Sequence, residues 1–154
     1  MRALTIWQPW AHFIAEGTKR VENRGWPPPA DLVGTWFAIH AGKRYDRAGA
    51  ESIRTELGIE VPAAGSLPQG AIVAVGILDH VTTVGTDVDG SLAWDDPWFI
   101  GPYGWYLREV VKIDPITCKG GQKLWGISPK ILAQVRANFR AAKQTRLVAA
   151  GGTP

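Results

Sequence analysis

An almost unbroken apolar run at residues 71–78 (AIVAVGIL) constrains this chain most. It is far shorter than the roughly 18 residues a membrane span needs, and it has the length of a strand in the interior of a sheet. Strand character extends into residues 81–84. Residues 3–6, 19–24, 34–40, 105–113 and 124–127 also read as short strands, set off by turn residues. In 105–113, Trp105, Leu107, Val111 and Ile113 are expected on one face, with Glu109 the exception. Tyr106, Arg108 and Lys112 are expected on the other.

Three helices are expected between and after these strands. The first opens at Pro9, whose missing N–H is no loss at a first helical position, and stops at Gly17. The second covers residues 46–57. Ser128 caps the third and Pro129 begins it. Ile131, Val135, Phe139 and Ala142 form its apolar stripe, with Arg136, Arg140 and Lys143 beside it. Five or six strands with two or three helices, without regular βαβ alternation, point to a small α+β barrel.

The chain has 154 residues, enough for one domain with a core of its own. The opening MRALTIWQPW has no signal-like apolar stretch, and the single cysteine, Cys118, cannot form an internal disulfide. A cytoplasmic protein is therefore expected, with a monomer as the default. Net charge is only +3, but it is unevenly spread. Residues 119–154 hold seven basic residues, including Lys119, Lys123 and Lys130, and no acidic one. Five aspartates lie between Asp79 and Asp96, and residues 86–102 read as an acidic surface excursion. Clustered cations suit a polyanion partner, or simply a solvated surface.

The helix-to-strand junction EGTKRVENR concentrates the chemistry. In an extended strand Glu22, Arg24 and Arg20 share a face, while Val21 and Asn23 take the other. Lys19, at the turn, is free to lean either way. A Glu beside an Arg fixes both geometries. Such a group either pins the junction or, with Lys19, grips a phosphate or reads a base edge. Trp10, Trp26 and Trp105 are each candidates for base stacking or for core packing.

The segment LTIWQPWAHFIAEGTKRVENRGW resembles the opening of ASCH domains, a branch of the PUA-like superfamily. The family pattern Gly-x-Lys-x-x-Glu-x-Arg is matched by Gly17, Lys19, Glu22 and Arg24. Gln8-Pro9-Trp10, FAIHAGKR, IGPYGWYL and KGGQKLWGI also match, in order. The resemblance covers about residues 3–127 and implies a PUA-like β-barrel, a domain taken as residues 1–127; outside it lie the basic amphipathic helix at 128–147 and a flexible tail at 148–154. It also implies a cleft between the first helix and the barrel, lined or supported by Gln8, Trp10, Lys19, Glu22 and Arg24. Members are associated with nucleic-acid binding, and related barrels recognise modified bases.

His40, Lys43 and Arg44 form a second candidate cluster for phosphate contact, with Lys119 in a flexible basic loop. His40 is equally a satisfied histidine at a strand end. No metal-ligand spacing and no cofactor motif is present, so neither is expected. Some small members of the family are amidohydrolases that pair the motif Lys with a Thr nucleophile three residues on. Glu22 stands at that position and cannot replace it. The expected function is therefore binding of RNA, DNA or a nucleotide, without a membrane partner. One alternative is a ribonuclease or amidohydrolase-like enzyme using Lys19, Glu22 and His40. Another is a protein-interaction domain presenting the acidic excursion.

Overall fold

A computed structural model of the chain describes residues 1–84 and 96–151. Among these residues six strands and three α-helices follow one another as β1 (Arg2–Gln8), α1 (Trp10–Ala15), β2 (Val21–Arg24), β3 (Trp36–Tyr45), α2 (Arg47–Leu57), β4 (Ala71–Thr83), β5 (Tyr103–Thr117), β6 (Leu124–Gly126) and α3 (Pro129–Ala149). The strands form one mixed sheet in the order β2-β5-β4-β3-β1-β6. Among the described strands, only β1 and β3 pair in parallel. The apolar run that opens β4 is buried throughout and lies between β5 and β3, in the sheet interior.

The expected barrel is not formed: β2 and β6 remain as two edges and do not pair. Both edge strands are short, and β6 covers only Arg2, Ala3 and Leu4 of β1. The sheet curls far enough to bring β2 back toward β1, but a side chain spans the gap. Arg24 Nη2 donates to the Thr5 carbonyl at 2.8 Å. Closure depends on a continuous backbone ladder, and four-residue and three-residue ends cannot supply one.

The two faces of the sheet carry separate cores. Leu4, Ile6, Phe37, Ile39, Leu78, Trp105 and Leu107 pack with Ala11 and Ile14 of α1. Ala3, Ile72, Val75, Val111, Ile113 and Ile116 pack with Val135 of α3. Trp105 and Leu107 thus lie on the opposite face from Val111 and Ile113, contrary to the single face expected from sequence. The reason is a bulge at Glu109, whose φ is +50°. Opposite Val75–Ile77 of β4, β5 spends an extra residue between Arg108 and Val111. An extra residue reverses the alternation beyond it.

The stripe on α3 packs as its periodicity indicates, with Ile131, Phe139 and Ala142 around Val135. Ser128 caps the helix through the Ile131 N–H. Phe139 meets the Trp36 ring edge-on at 5.1 Å, and the Lys143 ammonium lies 5.7 Å from the same ring. No helix among the described residues is long and apolar enough to cross a membrane. Most of the acidic excursion, residues 85–95, lies outside the described residues, as do 152–154 at the end of the tail.

Candidate functional site

The gap between β1 and β2 opens into a cavity of about 380 Å³. Thr5, Ile6 and Trp7 of β1, Trp10 of α1, Lys19, and Glu22, Asn23 and Arg24 of β2 line it, with Asp46, Ile100 and Gly101. Each wall has a local cause. Gly17 takes a φ of +81°, which ends α1 and turns the chain. The Lys19 N–H then donates to the Phe13 carbonyl at 3.0 Å, so the motif lysine is delivered under the helix.

Lys19 and Glu22 are almost completely buried. Glu22 lies between two cations: Arg24 Nη2 is 2.9 Å from Oε1, and Lys19 Nζ is 3.6 Å from Oε2. Lys19 also donates to the Val21 carbonyl. Burial pushes its ammonium below the ordinary lysine pKa, and the Glu22 carboxylate opposes that shift. Lys19 therefore leans to the Glu22 side of the strand. The Arg24 Nε is buried and has no partner among the described residues.

Asn23 is a strut from the opposite face of β2. Its Nδ2 donates to the Trp98 carbonyl at 2.8 Å, and its Oδ1 accepts from the Ile100 N–H at 2.9 Å. It thereby holds one lip of the cavity. Trp10 is fixed twice, edge-on to Trp98 at 6.3 Å and through its indole N–H to Asp46 Oδ2 at 3.0 Å. Asp46 also caps α2 through the Gly49 N–H, which holds its carboxyl below the usual range.

Gly49 makes room for that indole: a Cβ there would lie 2.3 Å from Trp10 Cζ2. Gly→Ala in a helix interior ordinarily stabilises by about 1 kcal/mol. Here Gly49→Ala is expected to destabilise instead, by about 1–3 kcal/mol of overpacking. Thermal unfolding decides the sign, and a Tm at or above that of the parent would mean that Trp10 is not held.

Residues 4–116 match the ASCH domain. The chain belongs to the ASCH family. That family is part of the PUA-like superfamily and is broadly associated with nucleic-acid binding. The fold is similar to the crystal structure of ASCH from Zymomonas mobilis, with a TM-score of 0.52 at 18% identity, covering 88% of this chain and 93% of that one. A Tyr→Phe mutant of the Zymomonas mobilis protein superposes with a TM-score of 0.50 at the same identity, covering 88% and 96%. No curated protein matches the chain.

Within this ASCH protein, the other residues singled out from sequence separate into distinct places. Gln8 is buried behind the cavity, where its Nε2 donates to the Pro68 carbonyl and its Oε1 accepts from the His12 N–H. Trp105 is fully buried, so the core occupies both its faces. Its indole N–H donates to the Trp26 carbonyl at 3.2 Å, and Trp26 stands edge-on to it at 4.8 Å. Neither ring lines the cavity.

His40 is buried beneath the loop after β5 and does not line the cavity. Its Nε2 lies 3.1 Å from the Cys118 carbonyl, which only accepts, so the proton sits on Nε2. Burial holds its pKa down. Trp125 packs edge-on against the ring at 5.5 Å. Lys119, Lys43 and Arg44 are exposed outside the cavity lining. Among the described residues, no group of three or more His, Cys, Asp or Glu is placed to hold a metal ion.

Trp7, Asn23 and Asp46 were not singled out from sequence. The signal for Trp7 was alternation, since Ile6 turns inward and Trp7 is 43% exposed. Asp46 carried the sequence signal of a helix cap, but its bond to Trp10 is long-range and has no sequence signature.

Proposed function

We propose that this ASCH protein is a nucleic-acid or nucleotide binding module that admits a single base to the cavity between α1 and β2. The observation that carries this reading is Glu22, held between Lys19 and Arg24 on the buried side of a cavity with tryptophan walls. Pairing fixes the carboxylate. A carboxylate has about four acceptor sites, so two cations leave room for an amino group on a base edge. The unpaired Arg24 Nε supplies a donor for a ligand acceptor. Trp10 offers aromatic surface to a base in the cavity, and stacking contributes roughly 1–3 kcal/mol per base. At about 380 Å³ the cavity is in the range of small-ligand sites, which suits an unpaired or modified base and excludes a duplex.

Titration of labelled single-stranded RNA and DNA by anisotropy tests the reading. Affinity is expected to fall as salt rises from about 50 to about 200 mM, through loss of counterion release. Binding that is undetectable for both polymers would sink it.

A second reading rests on Lys19, whose lowered pKa beside Glu22 suits acid–base chemistry on a nucleoside or nucleic acid. A trio of Lys19, Glu22 and His40 is not supported, because His40 lies outside the cavity lining. Turnover of RNA or acylated cytidine that is lost in both Lys19→Ala and Glu22→Gln would favour the enzyme. Unchanged turnover in both would remove these residues from catalysis.

A further inference from the structure

The charged residues lining the cavity are Lys19, Arg24, Glu22 and Asp46, two of each sign. Their formal charges cancel, so the cavity suits a neutral polar ring better than a phosphate. Further positive charge, from Lys43 and Arg44, lies just outside. β1 and β3 are in register at Ile6↔Ala41 and resume at Gln8↔Tyr45. Gly42, Lys43 and Arg44 therefore arch opposite the single residue Trp7. Gly42 lies flush on β1, where a Cβ would come within 3.2 Å of Thr5 Cγ2. The arch lays the Arg44 guanidinium over the Trp7 indole, with Cζ 3.8 Å from the ring centroid. Trp7 is itself a cavity wall and one of the few large apolar side chains left exposed.

We infer that the Trp7–Arg44 stack is a second subsite, taking the nucleotide next to the one held in the cavity. The Trp7 indole stacks the neighbouring base, and the Arg44 guanidinium pairs with the phosphate that links the two nucleotides. A planar cation on an aromatic face is suited to both tasks. The cognate ligand is then a single strand of nucleic acid rather than a free nucleoside. This inference rests on base binding in the cavity, which it extends to a polymer.

The test compares wild type, Trp7→Ala and Arg44→Gln for two probes, single-stranded randomised hexanucleotides of RNA and DNA, and the corresponding free nucleosides. Wild type is expected to favour hexamer over nucleoside. In each variant that preference is expected to drop about tenfold, the effect of losing a stacked base or a charged contact. In Arg44→Gln the slope of log affinity against log salt is also expected to shrink by about one. Circular dichroism confirms that both variants fold.

A preference within twofold of wild type in both variants overturns the subsite. An equal loss of hexamer and nucleoside affinity also overturns it, by making Trp7 part of the cavity alone. Hexamer binding that depends on Trp7 and Arg44, with no nucleoside binding, overturns the cavity reading and not the rim. Failure of wild type to bind either probe overturns both.

Discussion

Glu22→Gln is expected to cost about 3–5 kcal/mol of stability, because it removes one partner from a buried charge group. The substitution preserves size but takes the paired carboxylate from the buried Lys19 ammonium, leaving it the Val21 carbonyl, the Trp10 ring and the charge of Asp96. The loss is expected to depend on pH. The folded pKa of Lys19 lies below its ordinary value of 10.5, since burial disfavours the charged form. Between those two values the unfolded chain binds the extra proton, so stability rises with pH across that window. It falls as pH drops toward the folded pKa. Glu22 opposes this shift in the parent protein, so its removal widens the window.

Chemical denaturation at neutral pH and near the ordinary lysine value is the measurement. A deficit under about 1 kcal/mol, or one flat in pH, would mean that the pair behaves as an exposed one. Lys19→Met is the matched control. Arg24 still holds Glu22 at 2.9 Å, so the cost is expected to be small.

Trp105→Ala is expected to cost about 3–5 kcal/mol as a cavity in the core. It deletes a fully buried indole and its bond to the Trp26 carbonyl. The folded fraction is expected to keep its affinity for nucleic acid, because Trp105 does not line the cavity. Equilibrium unfolding and binding measured on the same preparation separate the two effects. A loss under about 1 kcal/mol, accompanied by lost affinity, would return Trp105 to the binding surface.

What the sequence revealed about the fold was local. The stripe on α3, its Ser128 cap, the Gly17 stop and the interior position of residues 71–78 follow from periodicity and end chemistry. Two bulges hid the rest. At Gly42-Lys43-Arg44 a flexible, charged tripeptide resembles a turn, yet β3 continues through it to Tyr45 because β1 lies alongside. At Glu109 alternation fails in sequence, but only the pairing with β4 shows that the faces exchange. Sheet closure was also illegible, since it depends on whether the two ends of the sheet meet.

For the candidate site, the spacing of Lys19, Glu22 and Arg24 was enough to bring them together. Gln8, Trp105 and His40 share the same motifs but are enclosed by long-range packing. Residue type alone does not separate an indole in a core from one on a rim. Trp7 differs from Trp105 by its position next to an edge that no strand covers.

The side-chain bridge across the unclosed gap sets the mechanics of the cavity mouth. Elsewhere in the sheet, moving neighbouring strands apart breaks several backbone bonds at once. Between β1 and β2, among the described residues, it breaks one, from the Arg24 guanidinium to the Thr5 carbonyl. The width of the aperture is therefore set by a side-chain rotamer and not by a backbone ladder. Turning the Arg24 guanidinium away from Thr5 would release the contact that narrows the mouth.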